Sequence, residues 1–293
     1  MKCQVGAAAL LIAIASPAIA QAPPPDLFNP QIEVEYAAPR RAEFVPIYER
    51  LKARKALDLF RQFLAPLKLT DQQKLVLRVD ECNGAMYARR APQSRAVTIC
   101  YEFVEAIERL APIRPVELVQ TRGHPPVRRD SALVGPFAQA VLHEVALAAF
   151  DLFEIPVWGR KDDAADRVAA LIMLQFSEFD MAWTAVVGTA WFLAGSTITA
   201  ADFADVRGTM AQRYYTTLCI AYGAAPKTFG GFVAETLPRN AAAGDLPASR
   251  ASSCPDEYAT LQQAVHETIG PHLDLALVQR VQGIKWLAQG GPQ

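Results

Sequence analysis

The sequence predicts an α+β fold that is mostly helical, and three features carry that prediction. Long stretches hold apolar residues at helical spacing, the foremost being the run from Phe137 to Phe150. Only two short runs are dense in branched apolar residues as strands are: Lys74–Asp80 (KLVLRVD) and Arg95–Tyr101 (RAVTICY). Cys82 follows the first of these and Cys100 lies in the second, so the pair reads as a small β-hairpin stapled by a disulfide.

The chain has 293 residues, of which 52% are hydrophobic and 20% charged, enough for a substantial core. Its formal net charge is −1, leaving no basic excess to neutralise a phosphate backbone; nucleic acid is not an expected partner.

In chain order, Lys2 provides a basic start, residues 6–16 an apolar run and Ala18-Ile19-Ala20 a cleavage site, so residues 1–20 read as a signal peptide. Cys3 precedes the apolar run, which does not support lipid attachment. The expected location is therefore outside the cytoplasm, periplasmic or secreted. Residues 21–43, with Pro23, Pro24, Pro25, Pro30 and Pro39, read as an extended linker. Residues 44–285 read as a single domain and 286–293 as a tail.

Export gives the cysteines their meaning. Without Cys3 four remain, Cys82, Cys100, Cys219 and Cys254, and an oxidising compartment favours two disulfides over a thiolate zinc cluster, for which no C-x-x-C spacing exists. Three connectivities are possible. Cys82–Cys100 with Cys219–Cys254 joins neighbouring segments and is the favoured pairing.

Pro46 suits the first turn of a helix carrying Leu51, Leu57, Phe60 and Leu64, ended by Pro66. Between the two strand-like runs, Asn83-Gly84 opens a long hairpin connection. A helix follows over Tyr101–Leu110, and residues 111–130, with four prolines and His124, read as a surface loop. The helix around Phe137–Phe150 comes next, beginning near Ser131 or Pro136, and another opens at Asp162-Asp163, whose charges suit a helix N-terminus. Residues 181–195 (MAWTAVVGTAWFLAG) are uncharged but shorter than the ~20 residues of a membrane helix, and read as a buried core helix. No membrane span is expected after signal cleavage. A helix starting at Thr199–Asp202 is expected to run through Tyr214 and Tyr215 to Cys219 and to end at Gly223; residues 238–253 read as a loop, and a last helix spans Pro255–Val281.

The chemistry gathers in the central helix. His143 and Glu144 sit side by side in an apolar run, where polar groups are costly without partners. A zinc peptidase site needs three protein ligands and one position for water. Two histidines four residues apart supply two of them from one helix face, and the glutamate after the first handles the proton of the bound water. A carboxylate on a following helix supplies the third, and an acid one turn beyond can fix the tautomer of a ligand histidine. Here His143 fits the first ligand, Glu144 the general base, Asp162 the third ligand and Asp166 the orienting acid. The position of the second histidine holds Leu147. A histidine–glutamate pair alone is common, and a hydrogen-bonded buried histidine beside a salt-bridged glutamate is the competing reading. The D-D-A-A-D run (Asp162–Asp166) alone reads equally as a solvated helix start.

Other candidates have simpler uses. Of the remaining histidines, His124 lies in the proline-rich loop shortly before the central helix and could reach over, whereas His266 and His272 have the wrong spacing for a two-histidine turn, interrupted by Gly270-Pro271; for each a solvent-exposed role is the simpler one. Glu102 reads as facing a cleft or solvating its helix. Tyr214 or Tyr215 could stabilise an oxyanion but suits core packing better, as do Trp183 and Trp191.

Five segments taken together point further: ECNGAMY…RAVTICYEF, VLHEVALAAFD, IPVWGRKDDAADRVAAL, QRYYTTLCIAYG and CPDEY. Over roughly residues 70–270 the chain resembles a family of bacterial secreted metallopeptidases with a zincin-like fold. The resemblance implies a zincin-like core, zinc held by H-E-x-x-H with E-D-x-A-D after it, and a peptide or protein substrate. This chain departs from that pattern at two expected ligands, Leu147 for histidine and Asp162 for glutamate. Loss of a ligand implies that zinc is weakly held or absent. Two readings follow: a zinc peptidase of weak or lost activity, or a non-catalytic relative that binds peptides or proteins in the cell envelope.

Overall fold

A computed structural model describes residues 27–84, 89–91, 96–116, 126–175, 179–195, 203–234 and 246–282. The expected signal peptide, the tail, His124 and residues 199–202 lie outside the described residues.

The chain begins with strand β1 (Ile32–Tyr36), followed by helices α1 (Val45–Ala53) and α2 (Ala56–Phe63) and strand β2 (Leu75–Asp80). Residues 21–43 read as a linker from their prolines, yet β1 lies inside them and pairs parallel with β2, Ile32 opposite Leu75. Ile32 is buried and the rest of the strand alternates outward, as an edge strand over a core does. The single helix expected after Pro46 is two, because Lys55 takes a left-handed conformation (φ 49°) and ends the first.

Strands β3 (Arg89–Ala91) and β4 (Ala96–Cys100) complete a four-stranded sheet in the order β1-β2-β4-β3. The expected hairpin of β2 with β4 is not formed. These strands run parallel, with Val76 opposite Ala96 and Asp80 opposite Cys100; β3, inside the presumed connection, is the strand antiparallel to β4. The connection is long enough for a crossover, which parallel pairing requires. Central β4 buries Ala96, Val97, Ile99 and Cys100, whereas β2 alternates, burying Leu75, Leu77 and Val79.

Both expected disulfides are present. Parallel register brings the ends of β2 and β4 together, so Cys82 reaches Cys100 with a Cα–Cα distance of 5.4 Å. Cys219 joins Cys254 at 5.1 Å. Oxidation uses all four thiolates, which excludes the alternative zinc cluster.

Helix α3 (Tyr101–Leu110) follows β4 without a break, over the expected span. The longest helix among the described residues, α4 (Arg129–Leu152), begins two residues before Ser131. By length and composition α4 is apolar enough to cross a membrane, but it is largely buried against α5 (Lys161–Met173) and α6 (Phe179–Ala194). Its crossing with α6 is set by two glycines. A Cβ on Gly188 would stand 1.7 Å from the carbonyl oxygen of Ser131, and one on Gly135 would stand 2.5 Å from the amide of Thr189. Only hydrogen at both positions lets the backbones meet.

Helix α7 (Met210–Ala224) opens with a capping box: Thr209 accepts the amide of Gln212, whose side chain in turn accepts the amide of Thr209. A short α8 (Pro226–Phe229) precedes the two-residue pair β5 (Val233–Ala234) and β6 (Leu246–Pro247), then α9 (Ala248–Ala251) and α10 (Cys254–Thr268). The last expected helix is broken at Gly270–His272, where Pro271 lacks an amide hydrogen, and resumes as α11 (Leu275–Gln282). Trp183 stacks on Phe229 and Phe232 in the core.

Candidate active site

The site lies where α4, α5 and α7 meet. His143 and Glu144 are both buried, 4% and 2% exposed. Helix α5 lays Asp162 and Asp166, one turn apart, against the imidazole. Nδ1 of His143 lies 2.7 Å from Oδ1 of Asp166, and Nε2 lies 3.4 Å from Oδ1 of Asp162. Three of the residues expected from the sequence are thus brought together, with Glu144 beside them on α4.

Asp166 is buried and gripped from three sides. Gln139, one turn before His143 on α4, donates to its Oδ1 at 2.6 Å. From α7, Arg213 donates through Nε to Oδ2 at 2.6 Å and through Nη2 to Oδ1 at 2.9 Å. The fork geometry of a guanidinium matches a carboxylate, and charge assistance strengthens each bond. Burial alone would raise the pKa of the Asp166 carboxyl, but Arg213 and His143 hold it well below the usual range. For His143 burial favours the neutral ring, yet the carboxylates of Asp162 and Asp166 outweigh that and raise its pKa. The carboxyl of Asp162 is held low by His143 against its partial burial, with help from Arg207. Arg207 Nε lies 3.4 Å from Asp162 Oδ1.

Arg213, Arg207 and Gln139 were not singled out from the sequence. Arg213 did carry a signal: a lone cation within the apolar QRYYTTLCIAYG run needs a buried carboxylate. Gln139 shares a face with His143 at helical spacing. Arg207 lies in a loop and carried none.

Leu147, one turn after His143, is buried among Ala146, Phe150, Ile155, Ala165, Val168 and Ile269. His266 is exposed on α10, and His272 stacks on Phe153 with ring centroids 4.1 Å apart; neither is among the groups around His143. Glu102 neither lines a cleft nor solvates its helix. It is buried and accepts the amides of Cys82 and Gly84, both at 3.0 Å, and Arg41 Nη2 at 2.6 Å. It therefore fixes the turn that carries the Cys82–Cys100 bridge. Tyr214 is fully buried and packs edge-on against Tyr215. Trp191 donates to the carbonyl of Leu110 at 3.1 Å.

A small cavity of about 20 Å³ is bordered by Gln139, His143, Glu144, Phe192, Arg207 and Arg213, and is large enough for roughly one water-sized occupant. A larger one of about 710 Å³ lies against the other side of Asp166 and Arg213, with Arg160, Arg167, Arg250 and Asp163 on its wall.

Compared with known families, residues 36–269 match the model of a family described as "Putative metallopeptidase". The chain belongs to this metallopeptidase family. No curated protein and no solved structure matches it. Membership in the metallopeptidase family brings the expectation of a metal cofactor, which the donors present can be tested against. Nε2 of His143 is buried without a hydrogen bond, as a ligand nitrogen would be before metal binding. Its 3.4 Å separation from Asp162 Oδ1 is also close to the span of two ligands on one tetrahedral ion, about 3.4 Å for bonds of ~2.0–2.1 Å. Among the described residues no third His, Cys, Asp or Glu donor closes a cluster with these two. One turn after His143 the helix carries Leu147, packed in an apolar cluster and without a donor atom, and a guanidinium already contacts Asp162. Among the described residues the donor set of this metallopeptidase-family chain does not fit a peptidase metal site.

Proposed function

We propose that this protein is an exported member of its metallopeptidase family in which zinc-dependent peptide hydrolysis is weak or lost, and which acts by binding peptides or proteins in the cell envelope. The observation that carries the reading is the place of Leu147. A side chain packed into an apolar cluster between α4, α5 and α10 cannot give a donor atom, and hydrocarbon beside an ion removes a bond without replacing it.

The architecture supports a zincin-like ancestry. The mixed sheet has an antiparallel edge strand, β3, and both β3 and β4 pack against α4, the helix bearing His143 and Glu144. A peptide could extend that sheet by adding a strand at the β3 edge, a mode in which backbone hydrogen bonds supply affinity. The larger cavity, with four arginines and two aspartates on its wall, suits a segment carrying carboxylates. The apolar run and A-x-A site of residues 1–20 support export, as do the two disulfides.

The test is direct. Mature protein purified without chelator is assayed for zinc by elemental analysis and for cleavage of an unstructured protein substrate. The expected result is well under one zinc per chain and no turnover above background. Near-stoichiometric zinc that disappears in His143→Ala would overturn the reading.

A further inference from the structure

Two nitrogens converge on one oxygen in this site. Nε2 of His143 and Nε of Arg207 each lie 3.4 Å from Oδ1 of Asp162. Arg207 also borders the small cavity shared with His143 and Glu144. Its side chain is 30% exposed and that of Asp162 18%, so the two meet in a partly buried position.

The segment that carries Arg207 is fastened down. The amide of Arg207 donates to Oδ1 of Asp205 at 2.8 Å, and its carbonyl accepts from Arg160 Nη1 at 3.4 Å. The next amide, that of Gly208, donates to Oδ1 of Asp163 at 3.1 Å. Asp163 adjoins Asp162 in the first turn of α5, so the loop and the carboxylate it neutralises are tied to the same turn.

We propose that Arg207 stands in for the metal ion, as a built-in cation that neutralises Asp162 and excludes a divalent cation from the His143–Asp162 pair. The inference rests on the reading of a degenerate site and extends it. Leu147 takes away a ligand; Arg207 takes away the negative charge that would attract an ion. The side chains then run Arg207, Asp162, His143, Asp166, Arg213, each in contact with the next. A dication placed between His143 and Asp162 would sit against a guanidinium already 3.4 Å from the same carboxylate oxygen, and like charges at so short a range repel. Restoring the second histidine alone is therefore insufficient to restore the metal.

The experiment measures cobalt(II) binding by visible d–d absorption, and zinc content after dialysis, in wild type, Leu147→His, Leu147→His/Arg207→Lys and Leu147→His/Arg207→Gln, each checked for native circular dichroism. Wild type should bind neither metal. The Gln double variant should bind cobalt about 10- to 100-fold more tightly than either Leu147→His or the Lys double variant, because only Gln removes the charge. Equal binding by Leu147→His and the Gln double variant would overturn the role of Arg207 while leaving the degenerate-site reading intact. A folded Gln double variant that binds no cobalt would overturn it too. Stoichiometric zinc in wild type would instead overturn the underlying reading. If the double variants do not fold, Leu147→His alone decides: its melting temperature should stay unchanged with added zinc, as that of wild type does, and a clear rise would sink the inference.

Discussion

Asp166 and Arg213 form a two-bond ion pair, 2.6 and 2.9 Å, that joins α5 to α7 directly behind the imidazole of His143. Both side chains are nearly buried, 8% and 9% exposed, so neither has water to turn to when the other is removed. Breaking a buried pair by removing one partner typically costs ~3–5 kcal/mol. Asp166→Ala should lose stability on that scale in urea unfolding, and Asp166→Asn clearly less, because an amide oxygen still accepts from Gln139 or Arg213. Equal losses in the two variants would show that the charge and its hydrogen bonds matter less than shape.

The same cluster sets a pH dependence. Asp166 has a lowered pKa in the folded state, so its contribution is complete above the unfolded value of ~3.9 and is lost as pH falls further. His143 has a raised pKa, so its contribution is complete below ~6.5 and is lost as pH rises through the higher folded value. The unfolding free energy should therefore be greatest between about pH 4 and 6.5 as far as these two groups decide it. His143→Gln should abolish the alkaline part of the fall. Unfolding curves of wild type and variant across this range check the sign, and a wild-type advantage that grew from pH 6 to 8.5 would contradict it.

Glu102 and the Cys82–Cys100 bridge hold one turn by two means. Replacing both cysteines by serine should cost ~2–4 kcal/mol. Glu102→Ala leaves two buried amides and part of the charge of Arg41 without their acceptor, a loss of ~1–3 kcal/mol. Because both changes release the same turn, their effects should sum to less than the separate losses in a double-mutant cycle. Strict additivity would argue that the turn is held elsewhere.

Gly188→Ala should be among the most damaging small substitutions in the chain. The added methyl meets the backbone of Ser131, not a side chain that could swing aside, so α4 and α6 must separate. A loss of at least ~3 kcal/mol is expected, seen as a large drop in melting temperature. At Gly84, whose position has open space but a left-handed φ of 89°, the same substitution should cost only the backbone strain, ~1 kcal/mol.

The sequence by itself determined what is local or covalent. Helical periodicity placed α3 and α4, a deeply apolar run flagged His143 and Glu144 as needing partners, and paired neighbouring segments made the two disulfides legible. That Leu147 offers no donor atom was readable too, because an aliphatic side chain is no ligand in any fold. Pairing between distant segments was decided by tertiary structure alone. The same two apolar runs satisfy a hairpin or a parallel pair, and only the crossover containing β3 chose the second; a proline-rich stretch hid β1 because an edge strand has few buried positions to reveal it. Likewise Arg207 reaches Asp162 from 45 residues away, through a loop whose placement depends on backbone hydrogen bonds to α5. Charge compensation across such a distance is a property of the packed chain, since Coulomb energy depends on separation in space and not along the sequence.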